Sequence, residues 1–246
     1  MPESNEPFEN YLSRHYAHLG DQARFRAGRK RQLQRTYGAL LPADRAAELL
    51  EIGPGYGQLL ELLRQDLGYS RTTAIDVSRE VVDFCNRLMP GSTAQVEDTV
   101  AWLGANGARF DRIFVLHVLE HLSKPLASAW VRALHGALRP GGRLVVEVPN
   151  MANFLTSGYL RWADLTHESG YSELSLRSLL ESGGFTGFHC FEDRLPGPGP
   201  KAFLAGVFRA AARSLQRTVY RGYELPVPEV LTPALCAVAT RDPARP

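Results

Sequence analysis

The segment Leu49-Leu50-Glu51-Ile52-Gly53-Pro54-Gly55-Tyr56-Gly57 constrains this chain more than any other. An aliphatic run enters three glycines spaced two apart, and Gln58 to Leu67 then places Leu59, Leu60, Leu62 and Leu63 on one broad helical face that closes at Gly68. A strand that turns through glycine into a helix belongs to a βαβ unit of a parallel sheet. Such a turn brings backbone close to a ligand and offers it helix N-terminal amides. A dinucleotide loop, G-x-G-x-x-G, would need its third glycine at position 58, which is Gln58. The spacing here is G-x-G-x-G, with Glu51 two residues before the first glycine. Taken alone, the loop reads equally well as a tight turn.

The flanking pattern extends the unit. Strands are expected at Glu48 to Ile52, Thr72 to Ile75, Ala94 to Val96, Phe110 to Leu116 and Arg143 to Val148. Helices fall between them. Ser78 should cap one that ends at Pro90-Gly91, and Ser123 one that ends at Arg139-Pro140-Gly141-Gly142. Two helices precede the sheet, Phe8 to Leu19 and Asp21 to Leu41. After it come an irregular stretch (Asn150 to Ser172), a helix (Glu173 to Ser182), a strand (Phe185 to Glu192), a Pro-Gly loop (Leu195 to Pro200), a helix (Lys201 to Tyr220) and a last strand (Leu235 to Thr240). Asp76 ends the second strand, nineteen residues past Gly57, where a carboxylate can take both hydroxyls of a ribose. Asp98 follows the third strand, and its plain alternative is a helix cap.

Composition sets the outer limits. The 246 residues are 44% hydrophobic, enough for one large core or two small ones. With 28 Lys plus Arg against 26 Asp plus Glu, no field of the whole molecule draws it to nucleic acid, so DNA is not an expected partner. Cys85, Cys190 and Cys236 form no Cys-x-x-Cys pair, which speaks against a disulfide framework or zinc knuckle and fits a reducing compartment. The acidic start, Met-Pro-Glu-Ser-Asn-Glu, is unlike a signal peptide. No apolar run approaches the roughly 18 to 20 residues that span a bilayer. The expected location is cytoplasmic, with a peripheral membrane contact as an open addition.

Four segments in order, Leu49 to Gly57, Ala74 to Val77, Phe110 to Leu122 (FDRIFVLHVLEHL) and Leu138 to Pro149 (LRPGGRLVVEVP), resemble the class I S-adenosylmethionine-dependent methyltransferases. The resemblance covers about residues 45 to 150. It implies a doubly wound α/β fold whose seven-stranded, mostly parallel sheet ends in an antiparallel strand. Residues 1–44 would form an N-terminal helical cap and 45–246 the methyltransferase domain, with 45–150 the cofactor-binding core and 151–246 the substrate side, including an inserted helix at 201–221. S-adenosylmethionine would be the cofactor. Its methionine part would lie on Glu51 and Gly53, Gly55 and Gly57, its ribose on Asp76 beside Val77, and its adenine on Asp98 and Thr99. His117, at the end of the fourth strand, would stand beside the sulfonium. Relatives that methylate DNA bases carry an Asn or Asp before Pro-Pro, or a Pro-Cys nucleophile, where this chain has His117-Val118-Leu119.

His117, Glu120, His121 and His167 form the polar constellation with catalytic spacing. The plain reading is that Glu120 and His121 line a helix start without chemistry. His117-x-x-Glu120-His121 is also similar to the Glu-x-x-Glu-His metal site of ubiquinone-pathway and small-RNA ribose O-methyltransferases, with His167 as the further histidine. The reading adopted assigns no metal ligands: His167, with His121, acts on an acceptor hydroxyl, since an imidazole takes such a proton near neutral pH. Asp164 or Glu168 would orient His167. The expected activity is methyl transfer to a hydroxyl of a small molecule, saccharide or glycan precursor. A metal-assisted RNA ribose methyltransferase and a non-catalytic S-adenosylmethionine-binding protein are the alternatives. Two basic segments flank the core: Arg24, Arg26, Arg29, Lys30, Arg31 and Arg35 near the start, and Arg209, Arg213, Arg217 and Arg221 on one helix. The second packs as an ordinary solvated helix, or is a lid or membrane-surface helix facing anionic lipid or a phosphate-bearing substrate. Oligomeric state is not legible.

Overall fold

The computed structural model describes residues 12–13, 22–194 and 199–244, with the side chains of 22–24 outside that set. Its centre is one seven-stranded sheet, β1 (Leu49–Ile52), β2 (Thr72–Asp76), β3 (Thr93–Gln95), β4 (Phe110–Leu116), β5 (Leu138–Pro149), β6 (Thr186–Glu192) and β7 (Ala234–Thr240), ordered β3-β2-β1-β4-β5-β7-β6. The first five strands pair in parallel, and β7 runs antiparallel to both β5 and β6. β1 pairs with β2 on one side and β4 on the other, Leu49 opposite both Thr72 and Arg112. That is where strand order reverses, and in open α/β sheets the ligand crevice lies at this point, outside the strands' carboxyl ends.

Helices cover both faces. Alternation along the central strands sends Leu50, Ile52, Ile113, Val115, Leu144 and Val146 to one side, under α5 (Lys124–Ala137) and α7 (Glu173–Ser182). Leu49, Phe114 and Val145 face the other side, under Leu33 and Tyr37 of α1 (Gln22–Tyr37). The remaining helices are α2 (Gln58–Glu61), α3 (Arg79–Leu88), α4 (Thr99–Ala105), α6 (Ser157–Trp162) and α8 (Pro200–Gly222).

Several expected boundaries move. The helix expected over Gln58 to Leu67 is α-helical only to Glu61 and continues as a π-turn over Leu62–Asp66. Ser78 and Ser123 take the N-cap positions, but neither side chain makes a capping bond. The Ser78 amide instead donates to Asp76 Oδ1 at 2.8 Å. The motif Arg139-Pro140-Gly141-Gly142 does not end α5. Leu138 already pairs with Phe110, so the chain enters β5 first and the motif bulges out of the ladder before Arg143 pairs with Arg112. The end of α5 is closed from β7's far side, where Arg241 Nη1 donates to the carbonyls of His135, Gly136 and Leu138. The stretch Asn150 to Ser172 is not irregular throughout, since it holds α6 and an Asn150–Tyr171 bridge. The expected helix Phe8 to Leu19 lies outside the described residues except for Leu12, which is buried, and Ser13. Of the Pro-Gly loop, residues 195–198 also lie outside them, and Pro200 opens α8 rather than closing the loop.

Candidate active site

The crevice has two unlike halves. On the β1/β2 side, Gly53, Gly55 and Gly57 all adopt left-handed φ, at 71°, 52° and 65°. Gly53 is required twice over, because a Cβ there would lie 2.5 Å from Val118 Cγ2. That contact also joins the turn to the segment following β4. Glu51, on β1, is 4% exposed, and its Oε2 has no hydrogen-bond partner. Burial pushes its carboxyl up to about 8, against a hydrogen bond from Leu60 and the more distant charge of Arg29. Asp76, at the end of β2, is likewise pushed up to about 7 by burial, against the backbone hydrogen bonds of Ser78 and Val77. Neither carboxylate forms an ion pair among the described residues. Two unpaired carboxylates beside a glycine turn suit a ligand that brings its own donors: an ammonium group at Glu51 and a vicinal diol at Asp76.

On the β4/β5 side the carboxylates are already paired. His117, the residue after β4, lies in the left-handed region (φ 56°), with its amide donating to the Glu147 carbonyl at 2.7 Å. Its Nδ1 lies 3.1 Å from Glu120 and its Nε2 3.1 Å from Glu147. Burial opposes the imidazolium, but Glu147 and Glu120 outweigh it and push His117 up to about 10. Glu147, 2% exposed on β5, also receives Arg29 Nη2 at 3.1 Å and the Tyr37 hydroxyl. Burial would raise its pKa, yet His117 and Arg29 hold it well below the usual carboxylate range.

A pair of imidazoles lies just beyond. His121 and His167, forty-six positions apart, bring their rings to 4.8 Å at 61°. His167 Nδ1 is 2.9 Å from the Leu160 carbonyl, so Nδ1 carries the proton and the lone pair is on Nε2. His121 Nδ1 is 2.8 Å from Thr166 Oγ1, whose own hydrogen goes to Asp164 Oδ1 at 2.7 Å, so His121 also carries its lone pair on Nε2. Burial lowers the His121 pKa, with His167 adding to it, which keeps that ring neutral at pH 7. Glu120, His121 and His167 present potential ligand atoms all within 4.8 Å of one another, and Glu120 Oε2 is buried without a partner.

A family model described as a methyltransferase domain matches residues 25–189. The chain belongs to that family. Its cofactor is S-adenosylmethionine. Among solved structures, the chain superposes on a SAM-dependent methyltransferase from Archaeoglobus fulgidus with a TM-score of 0.65 and 19% identity, covering 87% of this chain and 94% of the other. It also matches phosphoethanolamine N-methyltransferase 2 of Haemonchus contortus, solved with S-adenosyl-L-methionine, with a TM-score of 0.60 and 13% identity over 96% of this chain and 60% of that one. Of curated relatives, trans-aconitate 2-methyltransferase from Azoarcus sp. (strain BH72) is 31% identical over 111 residues. That alignment takes in 45% of this chain and only 42% of the relative.

For the remaining residues, position and expectation meet unevenly. Asp98 caps α4, its Oδ1 accepting from the Ala101 amide at 2.9 Å, with Thr99 opening the helix. Gln95 Nε2 lies 3.4 Å from the Val77 carbonyl, which ties the end of β3 to that of β2. His117 is brought to the end of β4 as expected, but into the Glu120–Glu147 network and not into the Glu120–His121–His167 cluster. Sequence reading missed Glu147, Arg29 and Tyr37. One signal was available: in LVVEVP, a lone acid interrupts a strand that must be buried on both faces.

Proposed function

We propose that this chain transfers a methyl group from S-adenosylmethionine to a hydroxyl oxygen of a small molecule, saccharide or glycan precursor. Glu51, Gly53, Gly55 and Gly57 hold the methionine portion of the cofactor, Asp76 with Val77 the ribose, and Thr99 with the outer oxygen of Asp98 the adenine. His117 fixes the floor of the site, its ring locked between two carboxylates. When bound, the cofactor supplies an electrophilic methyl carried on a sulfonium. The chain's own task is to place the acceptor in line with that methyl and remove its proton.

The observation that carries this reading is the His121–His167 pair, with each Nδ1 anchored and each lone pair on Nε2. His167 Nε2 takes the hydroxyl proton, and His121, neutral through burial, holds the neighbouring position. A carboxylate acceptor, as the name of the trans-aconitate relatives suggests for those proteins, carries no proton to remove and would leave both histidines idle. Labelled methyl transfer from S-adenosylmethionine to sugar nucleotides, lipid-linked glycans, phenols and tricarboxylates separates the two. A hydroxyl acceptor with turnover abolished in His167→Ala supports the reading, and tricarboxylate turnover indifferent to that substitution removes it.

A second reading rests on the same cluster. Glu120, His121 and His167 suit a divalent ion with mixed nitrogen and oxygen ligands, zinc or manganese rather than magnesium, which would acidify a ribose hydroxyl of RNA. Activity lost on chelation and restored by manganese, with RNA as acceptor, would favour it over the metal-free reaction.

A further inference from the structure

Helix α8 is turned inside out relative to an ordinary surface helix. Its packed side is narrow: Gln216 is its one buried residue, donating to the Leu231 carbonyl, and Tyr220 donates to the Ala152 carbonyl. At about 100° per residue, Phe203, Leu204, Val207, Phe208 and Leu215 fall together on the opposite side. All five are more than half exposed, Phe203 and Phe208 by 71% and 74%. Large aromatic and aliphatic side chains lined along one helix face and left in water mark a contact surface.

The charges say what that surface meets. The sequence from Pro200 to Gly222 contains five basic residues and no acidic one. Arg209 and Arg213 are paired, with Asp193 and Glu192. Lys201, Arg217 and Arg221 form no ion pair among the described residues and are exposed. Lys201 borders the apolar strip beside Leu204 and Phe208, and Arg221 borders it on the Phe203 side with Arg217 next to it, so cations frame both edges. Along the arginine edge runs a groove of about 350 Å³ lined by Arg213, Arg217, Arg221 and the hydroxyl residues Ser214 and Thr218. An apolar strip framed by unpaired cations, with a cationic groove alongside, is complementary to acyl chains beneath a layer of phosphate headgroups.

We propose that α8 is a membrane-surface helix that docks this chain on anionic phospholipid, with Phe203, Leu204, Val207 and Phe208 entering the headgroup–acyl boundary and Lys201, Arg217 and Arg221 on lipid phosphates. The inference does not depend on which acceptor is methylated. No described helix is long and apolar enough to cross a membrane, so the contact is interfacial.

The test is flotation of the full chain with vesicles of phosphatidylcholine, alone or with phosphatidylglycerol. Binding to the mixed vesicles, weakened by added salt and absent from pure phosphatidylcholine, is the expected result. Phe203→Ser with Phe208→Ser should abolish it, while Arg217→Gln with Arg221→Gln should reduce partitioning roughly 20- to 30-fold. S-adenosylmethionine binding should be unchanged in both, which controls for folding, and the arginine pair still decides the matter if the phenylalanine pair fails to fold. A chain left at the bottom of the gradient with anionic vesicles overturns the proposal. So does equal binding to neutral vesicles, or a vesicle-independent dimer in sedimentation that the phenylalanine substitutions dissolve, since α8 would then cover a second copy.

Discussion

The two halves of the crevice treat buried acid in opposite ways. At β1 and β2, Glu51 is buried and Asp76 half-buried, both without a cation, and they are pushed up to about 8 and about 7. At β4 and β5, Glu147 is just as buried but is held as a firm anion by His117, Arg29 and Tyr37. The Glu147 arrangement is complete within the protein, whereas Glu51 and Asp76 have no cation of their own. An unsatisfied buried acid is costly to keep, so in the proposed function Glu51 marks where the ligand belongs and the Glu147 network is the wall against which it reacts.

The largest expected effect concerns the chemistry beside that wall. His167→Ala should lower turnover roughly 100- to 10,000-fold with cofactor affinity within about two-fold, read by steady-state kinetics and calorimetry. Equal losses in both would merge the two halves into one binding surface. Glu147→Ala strips His117 and Arg29 of their shared anion. Breaking a buried pair costs roughly 3 to 5 kcal/mol, and the partial exposure of both partners lowers this to about 2 to 3 kcal/mol, measured by denaturant unfolding.

The cofactor half should respond in the reverse sense. Glu51→Gln should weaken S-adenosylmethionine binding about 10- to 100-fold, the loss of a charged hydrogen bond, yet leave the ligand-free protein no less stable. The sign follows from the raised pKa. The folded state holds the Glu51 proton up to about 8 while the unfolded chain releases it near 4.5, so ligand-free stability falls as pH rises between those values. Glu51→Gln removes that fall, and thermal melts from pH 5 to 8 would show a flatter profile. A wild-type melt that rises across this range would erase the distinction between the halves. The smallest effect is at the rim: Asp98→Ala should cost about 1 kcal/mol of stability through the lost cap of α4.

The same contrast separates what the sequence made legible from what it hid. The glycine turn, the strand before it and the helix after it are short-range patterns, each complete within about ten residues, whereas the antiparallel β7 was legible only through the resemblance of four segments to a known family, and the strand order only from the structure. Glu173–Ser182 and Phe110–Leu116 were readable to the residue, because Ser172 and Gly183 bound the one and a dense aliphatic run forms the other. The β4/β5 wall joins Arg29, His117 and Glu147 across 118 positions, and no local pattern carries such a contact. The basic helices show the same limit. Both read as cationic, but on α1 Arg26 and Lys30 pair with Glu61, and Arg29 with Glu147, while on α8 the apolar residues point outward. Which face of a helix is buried depends on its partner. Periodicity supplies the stripe and tertiary packing supplies its direction.

The central claim is that one half of the crevice holds S-adenosylmethionine while the other acts on the acceptor. Calorimetric titration of the cofactor into the wild-type chain, Asp76→Asn and His167→Ala tests it most directly. The account predicts saturable binding to wild type, binding about 10- to 100-fold weaker to Asp76→Asn, and unchanged binding to His167→Ala. A wild-type chain that takes up no heat, or affinity lost in His167→Ala and kept in Asp76→Asn, would contradict it.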